Sequence, residues 1–342
     1  MTSPPGSLPG LTKCSRDNRS RSTTARQHAP RLLRNLLHNR FRRRLWPPHL
    51  DGPGIEPSGA PTNWAFGLVG LGLAFLLITG GLLSSTAHLG RPERAWRAFS
   101  QWRSSWLSRE GVLAVATYVP AGILGIAWVF YEQTQGAVMF ASILAALLAL
   151  TTVYSTAMIY ASLPTIRAWH QLLTVPVYMT LAVASGGLIF VFVLSLFRTL
   201  PTWAIVLPLL TLVAAFFVKR SYWQAIDNEP QSITAEDATG LGHLGRVRQL
   251  EPPHTQANYV MREMGFSVAR KHAEKLRQLS LYLMFFLPVV CLLLLTFVSP
   301  ITTPFFALVA VVSMGVGVVM ERWRFFAEAK HVVMLYYGQE AA

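Results

Sequence analysis

The sequence predicts an all-α protein: a polytopic bundle of about seven transmembrane helices. Three observations carry this. Of 342 residues, 52% are hydrophobic and only 13% charged, about half the charged share of an ordinary soluble domain. The apolar residues fall in continuous blocks long enough to cross a hydrocarbon core of about 30 Å, which takes roughly 20 helical residues. These blocks lack period-2 alternation. They therefore read as helices that satisfy their own backbone hydrogen bonds, and not as strands of a membrane barrel.

Residues 1–60 are rich in Arg, Ser, Pro and His and hold eleven Lys or Arg against three acids. The segment lacks the apolar core of about 7–15 residues that a secretory signal needs. Its prolines interrupt the amphipathic helix of a transit peptide. It reads as a basic disordered head, or as a misassigned start in which GC-rich DNA is read out of frame. A transmembrane domain follows over residues 61–342. The first helix is predicted over Trp64–Thr86, the second over Gly111–Tyr131 and the third over Val138–Ala161. The fourth spans Leu172–Phe197 and the fifth Pro201–Val218, with Pro208 inside it. A polar connection, residues 219–279, precedes the sixth helix at Ser280–Val298 and the seventh at Thr303–Met320.

Seven spans distribute the polar segments over two faces. Face one receives Arg91, Arg94, Arg97, Arg103, Arg109, Arg167, Arg322, Arg324 and Lys330, together with the long connection. The three short segments of face two hold one basic residue, Arg198. The positive-inside bias therefore makes face one cytoplasmic. The formal charge is +14, a basic balance that reads as positive-inside bias rather than nucleic-acid binding. The basic head breaks the pattern. Either a further helix precedes Trp64 and restores the parity, or the bias fails there.

Cys14 and Cys291 form no Cys-x-x-Cys, which argues against zinc and cysteine-ligated clusters. None of the nine histidines lies within a predicted span, so ligands for an intramembrane haem are missing. Gly240, Gly242 and Gly245 match Gly-x-Gly-x-x-Gly, but no strand precedes them and a dinucleotide site is rejected. From Asn258 to Gln278 a helical pattern carries Arg262, Arg270 and Lys271, suited either to anionic lipid or to a partner chain. Trp102, Trp106, Trp169 and Trp223 read as interfacial belt residues.

The most informative segment is His88-Leu89-Gly90-Arg91-Pro92-Glu93-Arg94-Ala95, followed by Ser105-Trp106-Leu107-Ser108-Arg109-Glu110. It joins the first two helices on face one. A histidine at position 88 can accept or donate a proton, with Arg91 and Arg94 close by in the sequence. The same residues also suit an interfacial histidine capped by snorkelling arginines. Glu110 and Glu321, the latter next to Arg322, are predicted at helix edges, where a carboxylate either joins a proton relay or answers a helix dipole.

This segment resembles the membrane anchor subunits of the dimethyl sulfoxide reductase family. Gly317-Val318-Val319-Met320-Glu321-Arg322-Trp323-Arg324-Phe325-Phe326 is similar, with departures, to that family's closing pattern. The stretch from Ala157 to Ala161, with Pro164, Trp169 and His170, is similar to the third-helix exit of many such anchors. The resemblance implies an eight-helix anchor whose first helix is absent here. It implies two partners, a ferredoxin-like iron–sulfur subunit and a molybdopterin catalytic subunit, which carry the cofactors. It also implies electron exchange with quinone in a bacterial inner membrane, and a quinol role for His88. The expected quinone site is then His88, Arg91, Arg94, Glu110, Glu321 and Arg322. The expected docking residues are Arg97, Arg103, Arg262, Arg270 and Lys271, and no metal is expected in the chain itself. Cytoplasmic catalytic subunits would fit a donor-oxidising enzyme, such as a sulfite dehydrogenase, at least as well as a periplasmic sulfoxide reductase. Two other readings stand beside it. A secondary transporter would use broken helices, hinted at by Pro208 and Gly186-Gly187. A purely structural anchor would have no working quinone site.

Overall fold

A computed structural model describes residues 59–87, 89–228, 233–251, 253, 256 and 273–337. Most of the basic head, His88, Arg262, Arg270 and Lys271 lie outside the described residues. Seven helices are long and apolar enough to span a membrane: α1 (Trp64–Ala87), α2 (Trp106–Tyr131), α3 (Ala137–Ala161), α4 (Thr174–Leu196), α5 (Thr202–Asp227), α6 (Ala273–Leu294) and α7 (Thr303–Ala327). At about 1.5 Å per residue each crosses the hydrocarbon layer. No strand forms among the described residues. The all-α bundle and its seven spans are as the hydropathy predicted.

Several helix ends differ from expectation, for physical reasons. α2 begins at Trp106 because Ser105 caps it, its hydroxyl accepting from the Ser108 N–H. Glu110 thereby sits inside the helix. α5 continues to Asp227 and α7 to Ala327. Both were expected to stop at their first charged residue, but those charges turn inward and pair. The polar connection accordingly begins beyond Asp227. Within it, Thr234 and Asp237 form a capping box on a one-turn helix, Ala235–Thr239. The backbone N–H of Thr234 holds the Asp237 carboxyl below its ordinary range.

α2 packs on α3, α4 on α5, and α7 on both α4 and α6. The main core lies among α4–α7, around Val177, Leu181, Leu188, Leu212, Met284, Leu292 and Met314. Small residues there (Ala184, Ala215, Ala307 and Ala310) are buried and let the backbones approach, as membrane packing requires. α6 carries a π-helical turn at Tyr282–Phe286, just before Pro288. Proline lacks an N–H and its ring crowds the carbonyl four residues back. The Ser313 hydroxyl of α7 donates to the Leu283 carbonyl at 2.7 Å in this turn. Gly317 is the point of closest approach, since a Cβ there would stand 2.6 Å from Met284 Cγ. α1 is peripheral, held by Phe66 in a small cluster with Val193, Leu194 and Ala204.

Candidate functional site

The face-one ends of α5, α6 and α7 bring together charges that no apolar span can leave unpaired. On α5, Lys219, Tyr222 and Trp223 share one face through the three- and four-residue spacing of a helix. On α7 the same spacing aligns Glu321 with Arg324 and Phe325. Lys219 is 0% exposed, and Glu321 and Arg324 are each 2% exposed. Lys219 Nζ donates to Glu321 Oε1, and Arg322 Nε donates to Oε2 at 2.5 Å. Each oxygen of the buried carboxylate therefore has its own cation. Further out, Arg324 grips Glu328 with two hydrogen bonds of 2.8 Å, and Arg277 of α6 donates to Asp227 at 2.5 Å. The Trp223 ring collects three cations, Lys219 at 5.0 Å, Arg324 at 5.2 Å and Arg277 at 5.6 Å. Desolvated cations gain most from an aromatic face.

This cluster corrects the expectation that Glu321 sits at a helix edge, since α7 runs on to Ala327. Trp169 and Trp223, expected as belt residues, are core residues at 8% and 5% exposure. Trp169 Nε1 donates to the Phe325 carbonyl at 2.9 Å, and its ring stacks on Phe325 with centroids 5.3 Å apart.

On the other side of Arg322 the polar line continues toward α2. The Arg322 guanidinium lies 4.2 Å over the Tyr178 ring of α4. Tyr178 stacks on Tyr160 of α3, centroids 5.8 Å apart. Tyr160 is within electrostatic reach of both Arg322 and Glu110. Glu110 is partly buried and accepts from the Thr156 hydroxyl at 2.7 Å. Five helices thus contribute to one continuous array from Glu110 to Lys219.

The arginines between α1 and α2 are arranged differently. Arg91, Arg94 and Arg97 stand exposed at or within a 3-10 helix, Pro92–Gln101. Arg94 is 4.0 Å from Glu93. Arg97 lies over Trp96, and Arg103 over Trp102, each at 5.6 Å. Arg109 returns to the segment, donating to the carbonyls of Trp102 at 3.0 Å and Arg103 at 2.6 Å. Of the expected quinone-site residues the structure therefore brings Glu110, Glu321 and Arg322 together around the tyrosines. Glu321 takes its cations from Lys219 and Arg322, and not from Arg91 or Arg94. Among the described residues no group of three or more His, Cys, Asp or Glu forms a metal site.

Residues 68–339 match the family described as DMSO reductase anchor subunit (DmsC). The chain belongs to that family. It is a multi-pass membrane protein and the anchor of an oxidoreductase complex. A curated relative, a sulfite dehydrogenase subunit from Allochromatium vinosum, is 32% identical over 292 residues, covering 81% of this chain and 87% of the relative. No solved structure matches the chain.

Reasoning from the anchor's sequence missed Lys219, Arg277, Arg324 and Glu328 as members of the array, and Thr156, Tyr160 and Tyr178 as its lining. One signal was available. Lys219 continues the α5 period into Tyr222 and Trp223, and Glu321 does the same on α7, at the same face.

Proposed function

We propose that this anchor binds quinone at the face-one array and passes electrons between the quinone pool and an iron–sulfur partner subunit. A molybdopterin partner would hold the substrate chemistry. The observation that carries the reading is the Glu110–Thr156 pair and the Arg322–Glu321 pair on either side of Tyr160 and Tyr178. Quinone reduction consumes two electrons and two protons, and quinol oxidation returns them. The ring needs apolar, aromatic surroundings, and the rings of Tyr160 and Tyr178 are of that kind. Its oxygens need hydrogen-bonding groups at the edge, and Glu110, the tyrosine hydroxyls and Arg322 are of that kind. A carboxylate within hydrogen-bond reach of a ring oxygen can take or return the proton. His88, outside the described residues, is proposed as a further such group on the likeness of its motif alone.

The relative's name supports a complex of the sulfite dehydrogenase type, in which a donor is oxidised and quinone reduced. The face-one arginines support an inner-membrane orientation with this end in the cytoplasm, where the exposed Arg97 and Arg103 offer a docking surface to the partner chains. Arg262, Arg270 and Lys271 are proposed for the same surface.

The test is purification of the complex from its native membrane, with assay of co-purifying chains, molybdenum, iron and sulfite-dependent quinone reduction. An iron–sulfur and a molybdopterin chain are expected, with quinone reduction falling about a hundredfold in Glu110→Gln or His88→Ala. A purely structural anchor would leave the quinone rate unchanged in both variants. A chain that purifies alone and free of metal would overturn the reading.

A further inference from the structure

Beside Trp223, at the ends of α5, α6 and α7, lies a cavity of about 100 Å³. Its polar lining is Tyr222, Arg277, Glu321, Arg324 and Glu328, and Ala329 closes one wall. Two guanidinium nitrogens among these residues, Arg277 Nε and Arg324 Nη1, are buried without a protein hydrogen-bond partner. The Arg324 side chain is only 2% exposed. A buried charged donor left unsatisfied costs more than the roughly 1–3 kcal/mol of a neutral one, so these nitrogens call for a small acceptor. The cavity is polar, and at about 30 Å³ per molecule it has room for roughly three waters, each with several polar neighbours.

We propose that this cavity is a water-filled proton route joining Glu321 to the face-one surface. It deepens the quinone reading above and rests on it for its purpose. Glu321 is the inner terminus, with Oε1 on Lys219 and Oε2 on Arg322. Glu328 is the outer terminus, at 22% exposure and 3.8 Å from Arg277. Arg277 in turn holds the half-exposed Asp227, at 49%. The walls are rigid, because Tyr222 donates to the Ala168 carbonyl at 2.7 Å and Arg324 is fixed by both oxygens of Glu328. For each quinone reduced, two electrons arrive from the iron–sulfur partner. Two protons enter from face one through the waters and pass by the Lys219–Glu321 pair toward the Tyr178 side. Quinol oxidation runs the same path outward. The arginines keep their protons throughout and serve to hold the waters.

The experiment uses the intact complex reconstituted in liposomes, with two variants. Ala329→Leu fills the cavity without touching a titratable group, and Glu328→Gln removes the outer carboxylate while keeping its shape. Both are expected to lower kcat for quinone about tenfold or more, with KM unchanged and a larger solvent deuterium isotope effect. If both turn over at the wild-type rate with an unchanged isotope effect, the route is overturned. Should Ala329→Leu fail to assemble, Glu328→Gln carries the kinetic test. A readout independent of quinone comes from radiolytic hydroxyl-radical footprinting of the wild type. Trapped water would label the buried Tyr222 and Trp223, and their protection would show a dry cavity and overturn the route whatever the quinone chemistry. A wild-type complex that labels at these residues but never reacts with quinone would instead overturn the quinone reading, leaving the cavity wet but without this purpose.

Discussion

Glu321 is the residue on which most of the buried polar structure depends. It carries one cation on each oxygen, and both it and Lys219 are almost fully enclosed. Taking two charges out of water is expensive, and their mutual attraction offsets this only when the remaining hydrogen-bonding capacity is also met. Removing one partner leaves the other buried and uncompensated, at about 3–5 kcal/mol. Lys219→Met alone and Glu321→Leu alone are therefore both expected to lower the thermal midpoint of the purified chain sharply. The double variant should recover part of the loss, because Lys219 and Glu321 then leave no charge unpaired between them and only the partly exposed Arg322, at 22%, lacks its carboxylate. Thermal scans of the four proteins check this, and strictly additive losses would show that the pair is not coupled. The recovered double variant would still be inactive with quinone if Glu321 passes protons.

At the scale of the helix, the π-helical turn and Gly317 belong to one contact. Pro288 disturbs the backbone pattern of α6, Ser313 of α7 donates to a carbonyl of the turn, and Gly317 lets Met284 lie against the α7 backbone. A Cβ at Gly317 would meet both the side chain and the backbone nitrogen of Met284, the latter at 2.8 Å. Backbone cannot move aside as a flexible side chain can, so overpacking here separates the helices. Gly317→Val is expected to destabilise the chain by about 1–3 kcal/mol or more. Gly315→Val, at a position with open space around it, should do much less. Comparison of the two by detergent-induced unfolding measures the contact. Because α7 carries Glu321, Arg322 and Arg324, the Gly317 variant should also slow quinone turnover, while the Gly315 variant should not.

At the scale of the molecule, the charged array marks one end of the bundle and the short turns mark the other. Single cysteines in a background without Cys14 and Cys291 test the orientation. A cysteine replacing Arg97 should be labelled only from the cytoplasmic side, and one replacing Gln133 only from the opposite side. The reverse pattern would place the docking surface, and the partner subunits with it, outside the cytoplasm.

Hydropathy alone determined the fold class, the number of spans and their order, because a bilayer demands long apolar helices that satisfy their own backbone. The motif around His88 and Glu110, with its likeness at Glu321 and Arg322, also pointed to the anchor family from the sequence. The true ends of α5 and α7 were legible only as a helical period that runs on past the first charged residue. A charged residue at the end of an apolar run looks like an exit from the membrane unless its partner is known. Lys219 and Glu321 are 102 positions apart, and nothing local to either announces the other. Only the tertiary structure, by packing both α5 and α7 on α4, turned two apparent helix ends into a buried ion pair. The same packing set Tyr160 and Tyr178 between Glu110 and Arg322 and enclosed the cavity beside Trp223. Those are facts about distance across the bundle, which the periodicity of a single helix does not carry.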